Sequence, residues 1–244
     1  MWTGQPREEA AVIAIAQRLG SSSMDRQKNA AAIPLDFGDQ QVSIFDSGND
    51  KYDFAAPVQN KNNNWYVLIT YQFDVAGVAS TPTKTVYILP GEKKYLTALG
   101  ISYPGQTITD ASFKIVNIMW SRIDSHSIAD VPSFLQEHSS FTTSNATYVA
   151  AGSVTNTGVA QDTGNRITFS ITNNSAYNFW SVPVQILLMR AGGLQGIEET
   201  QIDSFRTGET RTIDLRNYVK DQLVDEVDVL PSVDVFDPSV YMPQ

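Results

Sequence analysis

Two histidines, His126 and His138, are the residues best suited to acid–base chemistry, and the chain contains no others. Both lie in a serine-rich segment between two stretches of strand-like sequence. A hydrolytic triad needs a histidine that is hydrogen-bonded to a nucleophile and oriented by an acid, and serines adjacent in sequence do not provide this by themselves. Neither a Gly-x-Ser-x-Gly elbow nor a His-Glu-x-x-His helix accompanies them. We therefore expect two solvent-exposed connector histidines, no catalytic residue and no enzyme activity.

The carboxylates near the C-terminus are the best candidates for a metal site, because calcium takes several oxygen ligands. They are Asp221, Asp225, Glu226, Asp228, Asp234 and Asp237. No Asp-x-Asp-x-Asp-Gly loop is present, and Asp228 and Asp234 each stand between two valines, which is the alternation of a half-buried strand. The pattern favours a strand with a solvated acidic face. No metal-ligating residue is predicted, and calcium binding stays as an alternative.

Aromatic residues could form a platform on which a glycan stacks, or they could fill a core. The set comprises Trp65, Trp120, Trp180, Tyr66, Tyr71, Tyr177 and Phe179. Trp65 and Trp180 follow equivalent turns of an internal repeat, and equivalence favours a shared packing role over glycan binding. The glycine-rich run 192–196 lacks the Lys-Ser/Thr of a phosphate loop and is predicted to be a hairpin turn, so no cofactor is expected.

Composition and charge exclude several classes of protein. The chain has no cysteine, which rules out disulfides, thiolate zinc sites, iron–sulfur clusters and a cysteine nucleophile. The net charge is −9, and eleven acids against four bases between Glu198 and Asp237 contribute −7 of it. No basic stripe is available to neutralise phosphates, so nucleic-acid binding is not expected. Only 18% of residues are charged, and a chain rich in Ser, Thr and Asn is typical of extracytoplasmic β-proteins.

The chain contains an internal repeat of roughly 115 residues, far longer than a solenoid unit. A strand, an Asn-rich turn and an aromatic residue occur around Asn60 and again around Asn173. About thirty residues later, each copy reaches a Gly-Glu turn, at Gly91 and at Gly208. A repeat of this length predicts a duplicated domain of about 100 residues.

Short strands separated by turns predict two antiparallel β-sandwiches. The predicted domains are an N-terminal helix and linker (1–36), a first sandwich (37–122), a connector (123–140) and a second sandwich (141–244). Strands are predicted near 42–46, 52–59, 65–75, 83–89, 93–99 and 112–120, and then near 146–155, 165–173, 181–190, 198–206, 209–215 and 223–235. Residues 6–19 are the only convincing helix. The apolar alternation reverses after Ile115, which indicates a β-bulge, although a strand buried on both faces would look similar.

The connector is too apolar for a free linker. It carries Ile123, Ile128, Val131, Phe134 and Leu135. Exposing these side chains would cost about 25 cal/mol per Å² of apolar surface. We therefore expect part of the connector to pack against a sandwich.

Several segments resemble a known family. Residues 69–74 (Ile-Thr-Tyr-Gln-Phe-Asp) resemble the strand ending of FxLYD-type immunoglobulin-like domains, and residues 85–96 resemble the strand–turn–strand that follows it, with Pro-Gly-Glu at the turn. Residues 229–239 are similar to a terminal stretch in two-domain surface proteins of candidate-phylum (Patescibacteria-like) bacteria. The second copy departs from the pattern, because residues 187–190 read Leu-Leu-Met-Arg where Leu-Tyr-Asp is expected.

The resemblance implies tandem immunoglobulin-like sandwiches in a bacterial cell envelope, held by a membrane anchor that this chain does not contain. It implies a non-catalytic structural or interaction module with a protein partner and no cofactor. A module that binds glycan or calcium is the alternative. The family carries no activity that transfers to particular residues, so neither catalytic nor cofactor-binding residues are assigned.

Overall fold

A computed structural model of the chain describes residues 32–38, 41–151, 164–217 and 223–243. Over these residues the protein is mostly β, with four antiparallel three-stranded sheets and one α-helix. The predicted helix at 6–19 and the end of the strand predicted near 146–155 lie outside the described residues. Within the described ranges, no helix has the length and apolar character needed to cross a bilayer.

The twelve strands form two sheet pairs with the same strand order. The first sheet pair contains β1 (Ser43–Gly48), β2 (Lys51–Gln59), β3 (Trp65–Val75), β4 (Lys84–Ile88), β5 (Lys93–Ser102) and β6 (Ala111–Arg122). The second contains β7 (Phe141–Val149), β8 (Asn165–Asn173), β9 (Phe179–Arg190), β10 (Gly193–Phe205), β11 (Thr210–Asn217) and β12 (Glu226–Pro231). The sheet orders β1-β2-β5 and β4-β3-β6 recur as β7-β8-β11 and β10-β9-β12. The predicted duplication is therefore present in the topology.

Alternating apolar residues give each sheet pair its own core. In β3, Val67, Ile69, Tyr71 and Phe73 are buried against residues of β2 and β5. In β9, Val182, Val184, Ile186 and Leu188 are buried in a second core with residues of β8. The period of two in these strands is what places one apolar face inward.

The strand predictions are confirmed for most elements and wrong at the starts of two. The strand predicted near 198–206 is β10, which begins at Gly193, so only the beginning of the predicted turn at 192–196 lies in the hairpin turn and the rest belongs to the strand. β7 is predicted near 146–155 but begins at Phe141, because the Thr- and Ser-rich start of the strand reads as connector. Phe141 packs against the second core and explains where the strand begins. The predicted bulge in β6 is confirmed, since Thr70 pairs with Asn117 and Tyr71 with Ile115, which leaves Val116 as the extra residue.

A fully buried asparagine organises the repeated turn in each sheet pair. The Asn60 side chain donates to the carbonyl oxygens of Trp65 (2.7 Å) and Ile88 (3.3 Å) and accepts from the backbone N–H of Asn62 (3.0 Å). It thereby ties the ends of β2, β3 and β4 together. Buried main-chain groups must be paired, and the strands diverge at this turn. The Asn60 side chain therefore supplies the hydrogen bonds that a neighbouring strand would otherwise make.

Asn173 makes the same bonds in the second sheet pair. Its side chain donates to the carbonyls of Tyr177 (2.8 Å) and Phe205 (3.4 Å) and accepts from the N–H of Ser175 (3.0 Å). The following turns also match, with Gly91 at φ 73° and Gly208 at φ 70°. No atom lies within 4 Å of a Cβ added at either glycine, so the left-handed backbone, and not space, requires glycine there. The predicted landmarks of the repeat are equivalent in structure.

Asn60→Asp is expected to lower the free energy of unfolding by about 3 kcal/mol, because the carboxylate cannot donate to the two carbonyls and is buried without a counter-charge. Asn63→Asp is the matched control, since Asn63 is exposed in the same turn. Urea denaturation of both variants measures the difference. Equal midpoints for the two variants would mean that the buried amide does not organise the turn.

The connector contains a helix that the sequence did not predict, α1 (Val131–His138). Asp130 caps it by accepting from the backbone N–H (3.4 Å) and hydroxyl (2.6 Å) of Ser133. With eight residues, the helix is too short for its apolar periodicity to stand out. Phe134 and Leu135 pack against the second core. The predicted packing of the connector is confirmed.

Replacing both Phe134 and Leu135 with serine should loosen α1 from the second core and lower the melting temperature by roughly 5 °C or more, since a large apolar contact is lost. Replacing Gln136 and Glu137 with serine is the control, because both are exposed on the same helix. Limited proteolysis should show new cleavage within 123–140 in the first variant only. An unchanged proteolysis pattern and melting temperature in that variant would contradict a packed connector.

The two sheet pairs join face to face. The outer face of β1-β2-β5 contacts the outer face of β10-β9-β12 through the buried residues Ala55, Leu187 and Ile197. Further contacts come from Phe45, Tyr95, Leu99, Met189, Leu194 and Leu230. The layers therefore run β4-β3-β6, β1-β2-β5, β10-β9-β12 and β7-β8-β11, with an apolar contact at each junction. Residues from Pro34 onward form one unit for this reason.

Candidate functional site

The two histidines have different surroundings. His126 is exposed in a turn where its backbone N–H donates to Asp124 Oδ1 (3.0 Å), as predicted. His138 is half-buried, which corrects the prediction of an exposed residue. Its ring lies between those of Phe134 (3.8 Å between centroids) and Tyr177 (4.2 Å), and Nδ1 donates to the carbonyl of Phe134 (2.8 Å). In a catalytic triad Nδ1 would donate to the orienting acid, whereas here Nδ1 is hydrogen-bonded to the main chain.

The C-terminal carboxylates are distributed over separate turns. Asp225 accepts from the N–H of Ala191 (3.1 Å), Asp234 from that of Phe236 (3.2 Å), and Asp237 from that of Ser239 (2.8 Å). Glu226 and Asp228 lie on β12, and Asp221 lies outside the described residues. In the part of the chain that the structure describes, no three metal-ligating side chains converge.

The candidate aromatic residues are divided between cores and surface. Tyr71 and Phe179 are buried, and Trp120 packs against the first core. Tyr177 stacks on His138. Trp65 is partly covered, whereas Trp180 is 51% exposed. The predicted shared packing role of these two tryptophans is wrong, because in the second copy Phe179 takes the buried position.

A cleft of about 840 Å³ lies where the two sheet pairs meet, lined by residues of β4, β5, β9, β10 and β12. The Glu199 carboxylate accepts from Lys84 Nζ (2.9 Å), the Thr97 hydroxyl and Gln185 Nε2 (3.1 Å). Burial raises the pKa of Glu199, but the Thr97 hydrogen bond, the Lys84 charge and the Gln185 amide together outweigh burial and hold the pKa below its usual value. The carboxylate thus links strands from both sheet pairs.

Gln185 also covers the free edge of β5. Its side-chain oxygen accepts from the N–H of Tyr95 (3.1 Å), and its nitrogen donates to the carbonyl of Tyr95 (2.8 Å). The amide imitates one rung of a β-ladder across the junction. Edge strands with unpaired main-chain groups attract other chains, and the second sheet pair thereby protects this one.

A second polar cluster surrounds Lys94. Its Nζ lies 3.0 Å from Glu92 and 3.2 Å from the Ser232 hydroxyl, and it stands 4.1 Å from the centroid of the Tyr87 ring. The Lys94 and Glu92 side chains are only 10% and 15% exposed. Burial raises the pKa of Tyr87, whose hydroxyl lies 3.1 Å from that of Ser232. These groups satisfy one another, so the chemistry of the cleft is that of a hydrogen-bonded junction.

Asp234, next to this cluster, is expected to make stability depend on pH. Burial raises its pKa, and the charges of Asp237 and Glu92 add to this, against smaller lowering by the Phe236 N–H and Lys94. A raised folded-state pKa gives stability that is complete below the ordinary value of 3.8 and lost as the pH rises through the folded-state pKa. Asp234→Asn should therefore raise the melting temperature at pH 7 by about 2–4 °C and have little effect near pH 3.

The exposed Asp110 provides the control substitution, Asp110→Asn. The melting temperatures of the parent protein and of both variants are measured between pH 3 and pH 7. A gain of the same size at both pH values for Asp234→Asn would show that titration of the carboxylate is not its cause.

The edge strand β6 exposes four apolar side chains within five residues. Its twelve residues form an edge of the sheet β4-β3-β6, and among the described residues it pairs with β3 alone. Ile115, Val116, Ile118 and Met119 are 39%, 52%, 38% and 51% exposed. They account for four of the seven large apolar side chains left exposed in the described ranges, so the exposure is concentrated at one place. Edge strands are usually protected by charge or proline, and residues 115–119 have neither.

The equivalent strand of the second sheet pair has the usual protection. β12 is only six residues long and carries Glu226 and Asp228. From sequence, residues 112–120 are predicted to be a bulged or doubly buried strand, and the pattern does not identify the strand as an exposed edge. The signal was present in the apolar residues at 115, 116, 118 and 119, which fall on both faces of the strand although only one face packs against the first core.

Comparisons with known proteins identify no family. No family model matches the chain, and no curated protein matches it. Similar solved structures include an anti-sigma factor domain-containing protein, with 12% identity, 82% of this chain and 87% of that chain covered, and a TM-score of 0.21. The exo-chitosanase CsxA of Amycolatopsis orientalis has 13% identity, 80% and 27% coverage and a TM-score of 0.20. Red sea bream transglutaminase has 11% identity, 95% and 34% coverage and a TM-score of 0.21. Likenesses at this level carry no argument about fold or function.

Proposed function

We propose that the chain is a non-catalytic interaction module of a bacterial cell envelope, built from two tandem immunoglobulin-like sandwiches and binding a protein through β6. The observation that carries the proposal is the bare apolar edge at residues 115–119. The resemblance to FxLYD-type domains, the absence of cysteine and the low charge content support the envelope location.

A protein is the partner that such an edge fits best. Unpaired N–H and C=O groups along β6 can bond an added strand, and exposed side chains on either side of it supply apolar contact. A glycan would leave Ile115, Ile118 and Met119 facing sugar hydroxyls, and nucleic acid is disfavoured by the charge of −9. Contiguous exposed apolar surface on a folded protein marks an interaction site.

The layered stack suits a module that displays a surface. β6 lies at an edge of the sheet β4-β3-β6, and residues 115–119 take no part in the apolar junction between the sheet pairs, so the junction leaves them accessible. The polar bonds of Glu199 and Gln185 hold the sheet pairs in one arrangement. A partner on β6 therefore meets a preformed edge and avoids the cost of ordering it.

A photo-crosslinking residue placed at Met119, in the full protein expressed in its own cell, tests the proposal. We expect covalent protein adducts from position 119 in the envelope fraction and none from position 63, an exposed turn position. Adding Ile118→Lys should reduce the adduct about tenfold, because a charge then enters the apolar contact. If position 119 gives no more adduct than position 63 in any fraction, β6 is not a binding surface.

A further inference from the structure

We infer that the partner of β6 is β6 of a second copy of this chain, paired antiparallel about a two-fold axis between Val116 and Asn117. The inference rests on the proposed function and names the occupant of the same edge. Two sheets of three strands would join into one sheet of six. An isologous contact of this kind needs a surface that is complementary to itself.

The bulge makes β6 self-complementary. On β6, the residues that face inward are Phe113 and Ile115 before the bulge and Ile118 and Trp120 after it. Each of them pairs with a buried residue of β3. The extra residue, Val116, reverses the alternation at the centre of the strand. When a second, antiparallel copy is paired about an axis between Val116 and Asn117, inward-facing residues of one strand lie opposite inward-facing residues of the other along the whole strand. In a strand without a bulge, this match occurs only when the two-fold axis passes through a residue.

The resulting pairs match in chemistry. Ile115 lies opposite Ile118 of the partner subunit, and Phe113 lies opposite Trp120 of the partner subunit. Apolar and aromatic cross-strand pairs of this kind stabilise sheets. Phe113 and Trp120 already pack against the first core, so their positions are fixed before pairing.

The charges of the strand do not oppose each other in this register. Lys114 lies opposite Met119 of the partner subunit, and Arg122 lies opposite Ala111 of the partner subunit. These are the two charged residues of β6, and neither faces its own kind. Shifting the axis onto Ile118 would place Lys114 opposite Arg122 of the partner subunit, so charge disfavours that register.

Salt should strengthen the contact. Two copies of charge −9 repel each other at long range, while the paired strands themselves are apolar with two basic residues each. Screening shortens the repulsion without weakening apolar burial, since the Debye length falls to about 8 Å at physiological ionic strength. Sedimentation equilibrium should give a dissociation constant of the dimer that falls about tenfold between about 20 and 300 mM NaCl.

The absence of cysteine allows a test of the register itself. Ile115→Cys and Ile118→Cys proteins are prepared separately and then mixed under mild oxidation. The mixture should form a disulfide-linked dimer of twice 26.9 kDa, because the two positions lie opposite each other. Each protein alone should form far less, since identical positions are separated by three residues or more along the paired strands. Ser112→Cys mixed with Ile115→Cys is the matched control and should give no disulfide-linked dimer, because these two positions do not lie opposite each other.

The outcomes separate this inference from the proposed function. Selective crosslinking in the mixture, abolished by Val116→Lys on both chains, supports self-pairing. Monomers at all concentrations and salts, with no selective crosslink, overturn it. In that case, adducts from position 119 with proteins of other masses would leave the proposed interaction module standing. Circular dichroism of each variant checks that it folds.

Discussion

The contact between the inner sheets governs the rest of the structure, and it depends on a small side chain. Ala55 is fully buried between β2 and the facing strands β9 and β10, where Leu187 and Ile197 approach it. A larger residue would push the sheets apart, because protein interiors are packed without spare volume. The bonds of Gln185 to the Tyr95 main chain span this same gap and require the same separation. Apolar packing therefore sets the separation between the two inner sheets, and at this separation the polar groups of the cleft can form their hydrogen bonds.

The repeat shows how one local device acquires two roles. Glu92 and Lys94 form an ion pair two residues apart at the start of β5, and Glu209 and Arg211 form the same pair at the start of β11. The second pair is about a third exposed and contributes little, as surface pairs do. The first is covered by Ser232 and the chain around it, where a charge without its partner would be costly. In the second sheet pair the ion pair therefore stabilises only its own turn, whereas in the first sheet pair the equivalent ion pair is part of the junction.

Sequence alone predicts the elements whose signals are local. The strand β3 follows from its alternation, the bulge from the parity change after Ile115, and the turns from the repeated Asn and Gly-Glu landmarks. The start of β7 and helix α1 were not predicted, because their residues are polar or too few for a period to show. The junction was not predicted either. Outward residues such as Leu187 look the same in sequence whether another sheet or water covers them, so the open edge of β6 and the closed face of β9 were indistinguishable.

The layered order has a consequence for synthesis on the ribosome. The first sheet pair is complete once Arg122 has emerged, yet its face around Ala55 stays uncovered until β9, β10 and Leu230 follow. At 5–20 residues per second this delay is roughly 5–20 s. During that time the nascent chain presents two apolar surfaces, the face around Ala55 and the edge at β6, and only the first is later closed by the chain itself. The face around Ala55 is therefore exposed for longest when residues 123–230 are translated slowly.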